Sequence, residues 1–145
     1  GVEKRPAAKR RPYQPKAMER AESARLDDGG LVLTIVGWTP TPLNQLLGNH
    51  HKAARLKKHD REVVGWAQHL VGLPPAEGPR RVSLQVLLCP RERACDRDAY
   101  WKSTLDALVH ARLLVDDSPR WAHTGPVGFG RAATRATRII LHDLE

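Results

Sequence analysis

The chain has 145 residues, enough for one domain with a sizeable core, and its 24 Lys and Arg against 16 Asp and Glu leave a net charge of +8 that points to a polyanionic partner. The longest apolar stretch, residues 31–36 broken by Thr34, is far short of the ~20 residues that cross a bilayer, so neither a membrane span nor a membrane partner is expected. Cys89 and Cys95 are too few for a disulfide framework, and residues 1–30 lack the apolar segment of a secretory signal, which together suggest a reducing cytoplasm.

Residues 1–30 carry Pro6, Pro12 and Pro15, many charges and no apolar periodicity, and are expected to form a flexible basic arm. The turn signal Asp27-Asp28-Gly29-Gly30 separates that arm from a folded domain over 31–145. Residues 31–36, rich in β-branched side chains between Gly30 and Gly37, predict a strand. Trp38-Thr39-Pro40-Thr41-Pro42-Leu43-Asn44 predicts a loop, because two prolines in three residues exclude helix and central strand. Residues 49–71 contain no proline and place Ala54, Leu56, Val63, Ala67, Leu70 and Val71 at roughly helical intervals. They predict a helix with a basic first half, ended by Pro74 and Pro75.

A second strand is expected over 82–88, stopped by Pro90, followed by a charged loop over 91–97. A second helix over 98–112 sets Trp101, Leu105, Leu108 and Val109 on one face. After the turn at Asp116-Asp117-Ser118-Pro119 come a short strand over 120–124, a glycine-rich loop over 125–130 and a last strand over 134–142. The order β-α-β-α-β-β predicts an α/β (α+β) fold, a small mixed sheet with two helices.

In a chain this basic the acids need a reason, since carboxylates on a DNA-contacting face oppose binding unless they hold a metal. Asp96 and Asp98 stand two apart at a strand end, where extended backbone points i and i+2 to the same side and lets both share a hard cation such as Mg²⁺. Asp98 is also placed to cap the second helix. Lys102 and Asp106 follow at four-residue steps. They form either i, i+4 salt bridges worth a few tenths of a kcal/mol, or a ladder in which Lys102 steadies a phosphate or an attacking water beside the carboxylates. Asp116 and Asp117 follow the helix. A helix to about residue 111 carries the chain ~20 Å from Asp98, and six extended steps cover about 20 Å. Closure within one subunit is therefore possible but tight, and a ligand from a partner subunit stays open. Arg91, Arg93 and Arg97 on the acid-bearing loop, with Lys52, Arg55, Lys57 and Lys58 on the first helix, are expected to grip the phosphates of a polyanionic partner. Trp38, Trp121 and Phe129 read as packing residues before base-stacking ones.

The run Asp96-Arg97-Asp98-Ala99-Tyr100-Trp101-Lys102-Ser103-Thr104-Leu105-Asp106-Ala107-Leu108, followed by Asp116-Asp117, resembles the signature of the RusA-type Holliday junction resolvases. That family carries Asp-x-Asp-Asn, then Lys, then Asp-Ala-Leu on the helix, then Asp-Asp. The Trp38 to Asn44 segment, ahead of a His- and Lys-rich helix start, is similar to the family's Pro-Pro-Ser-x-Asn opening. The resemblance covers about residues 31–142. It implies a RusA-like homodimer without a small-molecule cofactor, an endodeoxyribonuclease dependent on Mg²⁺, with Mn²⁺ as a substitute. Its substrate would be four-way junction DNA, cut by paired symmetric nicks in recombination and repair, and its source bacterial or phage. By position Asp96, Asp98 and Asp117 match the metal-binding acids, with Asp116 a less certain ligand. Lys102 matches the catalytic lysine and Asn44 the opening motif's DNA-contacting Asn. The family's Asn after the second Asp is Ala99 here. The alternative this leaves is a catalytically weakened or inactive junction- or duplex-binding protein of the same fold.

Overall fold

A computed structural model describes residues 14–16 and 18–144. In chain order these form β1 (Arg20–Arg25), β2 (Leu31–Val36), α1 (Leu43–Leu46), α2 (His50–Val71), β3 (Arg80–Leu88), a 3-10 turn (Arg97–Tyr100) that runs into α3 (Trp101–His110), β4 (Ala122–Arg131) and β5 (Ala136–Asp143). The strands make one mixed sheet in the order β1-β2-β5-β3-β4, with β3 and β4 parallel and the other neighbours antiparallel. The protein is thus a small α+β fold with three α-helices among the described residues. Among the described residues no helix is long and apolar enough to cross a membrane.

Strand β3 alternates as a half-buried strand should, with Val82, Leu84, Val86 and Leu88 inward. The registers place Leu33, Ile139 and Leu84 in one row and Leu31, Leu141 and Val82 in the next. These rows meet Val63, Val64 and Ala67 of α2 and Ala107 and Leu108 of α3 in a single core. Helix α2 begins at an Asn49 cap that accepts the Lys52 N–H (3.0 Å) and ends at Gly72, whose φ of 62° is the left-handed turn glycine tolerates. Its buried residues are Asp60, Val63, Val64, Trp66 and Ala67. The first ten residues, about 15 Å of helix, therefore project past the core as a basic rod.

Two expectations are corrected here. The boundary at residue 30 does not stand, because Arg20–Arg25 pairs along β2 from Arg20↔Val36 to Arg25↔Leu31 and Met18 is buried in the core. The Asp27-Asp28-Gly29-Gly30 signal is the hairpin between these strands. Gly29 sits at φ 88°, Leu26 N–H donates to Gly30 O (2.7 Å), and the Asp28 carboxylate accepts from Gly30 N–H (2.9 Å). As an edge strand, β1 shows solvent Arg20, Glu22 and Arg25, the charges that protect an edge and that hide it from a search for apolar alternation. The remainder of the expected arm, residues 1–13 and 17, lies outside the described residues. The second correction is the glycine-rich loop, which is strand β4 throughout. A Cβ on Gly125 would come 2.6 Å from Ser83 Oγ, and one on Gly130 would come 2.7 Å from Leu87 Cδ2. The glycines are what the close approach to β3 requires. Pro126 falls at a bulge, where Val82↔Thr124 is followed by Leu84↔Val127 and no donor is needed from it.

At the start of β3 the guanidinium of Arg80, 2% exposed, is saturated by other segments. It donates to the Asp143 carboxylate (2.7 Å), Leu113 O (3.0 Å) and Pro74 O (3.0 Å). These bonds tie the exits of α2 and α3 to the ends of β3 and β5. Arg80→Met should lower the urea unfolding free energy by about 2–4 kcal/mol, since buried carbonyls lose their donors. Asp143→Asn, on a 76% exposed side chain, should cost less than about 1 kcal/mol.

Candidate functional site

The site grows from an acid in an apolar stripe. Asp60, Val63, Val64 and Ala67 fall at i, i+3, i+4 and i+7 on α2, which turns Asp60 into the core at 1% exposure. A carboxylate buried there needs donors, and three converge on it. Trp38 Nε1–H donates to Oδ1 (2.8 Å), while Thr41 N–H (2.9 Å) and Ser103 Oγ–H (2.5 Å) donate to Oδ2. Thr137 Oγ–H donates to Trp38 O (2.8 Å) and anchors the loop to β5. The proline loop, α2 and the start of α3 are thus fixed around one side chain. Asp60 was not among the sequence candidates, and its signal was an acid at core spacing on a helix. Trp38, 3% exposed with its N–H bonded, is a packing residue.

Beside this hub lies a cavity of about 280 Å³ between the proline loop, Leu56 and His59 of α2, the end of β3 and the loop bearing Arg93 and Cys95. The loop is braced from β4 and β5. Arg131 donates to Cys89 O and Glu92 O, and Arg135 lies 3.3 Å from the Glu92 carboxylate. Burial works to raise the Glu92 carboxyl, but the Cys89 N–H bond and the charges of Arg135 and Arg131 outweigh it and leave it below the usual range. Tyr100 accepts the Cys95 N–H (3.3 Å) and meets Phe129 edge to face at 5.7 Å, and burial pushes its phenol up. Arg97 lies over Phe129, 5.9 Å from the ring centroid. Phe129 therefore belongs to β4 rather than to a loop that reaches for DNA.

The acids of the motif are placed differently from the sequence expectation. Asp96 is extended (φ −55°, ψ 140°), but Asp98 lies in the 3-10 turn, so the rule that i and i+2 share a side in a strand does not apply to the pair. No side-chain cap bond is made by Asp96 to the turn or by Asp98 to α3. Nor does the salt-bridge ladder form: Asp106 is taken by Arg61 of α2 through two bonds of 2.7 and 3.1 Å. Asp96, Asp98, Lys102, Asp116 and Asp117 are all exposed, and none has a side-chain hydrogen bond or ion pair among the described residues. Asp96 and Asp98 follow the C-terminal end of β3. Leu113 is held at its N-terminal end by Arg80, and Trp121 O accepts the Arg80 N–H (3.0 Å). Asp96 and Asp98 thus lie at the start of the 3-10 turn and α3, and Asp116 and Asp117 lie beyond the end of α3. Among the described residues no group of three His, Cys, Asp or Glu side chains is placed to hold a metal ion. The oxygen donors suit Mg²⁺ in kind, but one chain does not gather them.

The basic candidates are accessible. Lys52, Arg55 and Lys58 are exposed on the projecting part of α2, Lys57 is half-buried beside them, and Asn44 is exposed on α1. Arg91, Arg93 and Arg97 are exposed on the acid-bearing segment. Cys89 and Cys95 are free thiols. The chain matches no protein-family model, and no curated protein matches it either.

Two outcomes test this geometry. Asp60→Asn puts an amide N–H₂ where an acceptor faced donors and should cost about 1–3 kcal/mol in urea unfolding, against about 1 kcal/mol for Ser103→Ala. The hydrogen bonds from Arg61 hold the Asp106 carboxyl below its ordinary 3.8. The stability this adds is complete above that unfolded value and lost as pH falls through the lower folded value. Asp106→Asn should therefore flatten the acid limb of the melting-temperature profile below about pH 4 while costing less than about 1 kcal/mol at neutral pH, the pair being partly exposed.

Proposed function

We propose that this chain is a Mg²⁺-dependent endodeoxyribonuclease of the RusA type, a homodimer that resolves four-way DNA junctions by paired nicks in the cytoplasm of a bacterium, where a phage or prophage is a fitting source. The observation that carries the reading is the spacing Asp96-x-Asp98, Lys102, Asp106-Ala-Leu, Asp116-Asp117 in a chain of net charge +8. Asp106 has a structural partner in Arg61, whereas the other four acids and Lys102 stand exposed without one among the described residues. Unpaired acids on a basic surface oppose DNA binding, and their retention is explained by the chemistry of cutting.

The separation of the acid pairs within one chain bears on how the site is completed. In this reading a second copy brings its Asp116-Asp117 loop to the Asp96-Asp98 segment of the first. Twofold symmetry then repeats the arrangement once, giving two equal sites for the two equivalent strands of a junction. Lys102, the second residue of α3, supplies a positive charge next to the acids to hold a phosphate oxygen. The rod of α2, with Lys52, Arg55 and Lys58, and the arginines of the acid-bearing loop hold flanking phosphates and so set the register of the DNA. Ala99, where the family carries Asn, favours the second reading, a protein that binds junctions and cuts them poorly or not at all.

A labelled four-way junction should be nicked symmetrically with Mg²⁺ and left intact with EDTA. Binding without any nick under both conditions selects the second reading. Mixing Asp98→Asn with Asp117→Asn protomers should restore roughly a quarter of wild-type cutting, because half of the dimers then hold one intact composite site. Two mutants that stay inactive when mixed would place all the acids in one chain. Replacing Lys52, Arg55 and Lys58 together by Ala should reduce the salt slope of binding by roughly 0.9 for each lost phosphate contact.

A further inference from the structure

We propose that the cavity beside Asp60 receives a single nucleotide unstacked from the bound strand, and that its rim residues read the base. The inference rests on the junction-binding reading for the source of the strand, but nucleotide binding itself requires no cleavage. The cavity, about 280 Å³, is near the lower bound of about 300 Å³ for small-ligand pockets, so it admits one nucleotide and no duplex. Pro40, Pro42, Leu56 and Tyr100 give its lining an apolar part, and Gln45, His59, Arg93 and Arg135 a polar one, with Arg135 paired to the Glu92 carboxylate that also lines it. The side chains of Gln45, His59 and Arg93 have no hydrogen bond or ion pair among the described residues, whereas Asp60 is already committed to three donors. A flat ligand with ring and carbonyl acceptors and an anionic phosphate is complementary to such a lining, with Arg93 taking the phosphate and the amide and imidazole taking the base.

The surroundings supply a way in. The turn that carries Gln45 also carries Leu43 and Leu47, which are 36% and 67% exposed, and Gly48 at φ 89° leads it into the basic rod of α2. An exposed leucine next to a phosphate-binding element is the arrangement by which apolar side chains pry open a base step. Base-extruding proteins then hold the displaced base in a pocket lined by apolar and hydrogen-bonding groups. The cavity's Arg93 and Cys95 belong to the same segment as Asp96 and Asp98, so a nucleotide bound there would lie next to the acids.

The test uses the full chain and NMR shifts of the Trp38 indole and Arg93 N–H groups. Titration with each of the four deoxynucleoside monophosphates should shift both signals for at least one base, with Kd on the order of 1 mM. Leu56→Trp, which fills the cavity, should weaken that binding roughly tenfold. His59→Ala, on the rim, should weaken it several-fold and serves if the larger residue perturbs folding. Equal shifts with inorganic phosphate, meaning an anion site only, or no shift with any nucleotide would overturn the proposal. In EDTA, a junction with 2-aminopurine at the crossover should brighten when the wild type binds and brighten less with Leu47→Ala. Nucleotide binding in a protein that never cuts junctions overturns the endonuclease reading alone. Cutting by a protein that binds no nucleotide overturns the cavity proposal alone.

Discussion

A buried carboxylate that has donors but no cation organises the functional end of the molecule. Asp60 gathers an indole N–H, a backbone N–H and a hydroxyl from segments 19 to 43 residues away. Leaving one of those groups unpaired in the core costs more than the bonds gain, so the arrangement is accepted only as a whole. The proline loop must leave β2 along one path, and α3 must start with Ser103 facing α2. The cavity and the exposure of Asp98 and Lys102 follow from those two constraints.

At the far end Arg80 does the same work with the opposite charge. Its buried guanidinium holds Leu113 O and Pro74 O, and so pins the exit of α3 as Asp60 pins its start. Fixed at both ends, α3 keeps Asp96 and Asp98 apart from Asp116 and Asp117. The Arg61–Asp106 pair adds a cross-tie between α2 and α3, which leaves Asp98 and Lys102, the other two members of the expected ladder, exposed without a partner among the described residues.

The legible parts of the fold were those with strong local periodicity or punctuation. Helix α2 was visible over residues 49–71 because a proline-free run with apolar residues at helical intervals ends at Pro74 and Pro75. Strand β2 was visible as a β-branched run that ends at Gly37, and β3 as an alternating apolar run stopped by Pro90. Strand β1 was not, since an exposed edge strand needs charge rather than apolar alternation. Strand β4 was not, since its glycines answer to the Ser83 and Leu87 side chains of a neighbouring strand. Of the site, the motif acids, Lys102 and the basic residues could be picked out by spacing and charge. Asp60 and Arg80 could not be told from surface charges without knowing what packs over them.

By itself the sequence determined the charge excess, the order of most elements, the spacing of the acids and the resemblance that spacing carries, because each depends on residues close in the chain. Only the tertiary structure decided which charges are spent on the fold and which remain for a ligand. Arg80, Asp60 and Asp106 meet their partners across 33 to 63, 19 to 43 and 45 residues for their longer-range bonds, distances over which sequence spacing carries no geometry. It likewise decided that no three of the motif's acids are gathered to hold a metal ion within the chain, because the path of α3 is set by what holds its two ends.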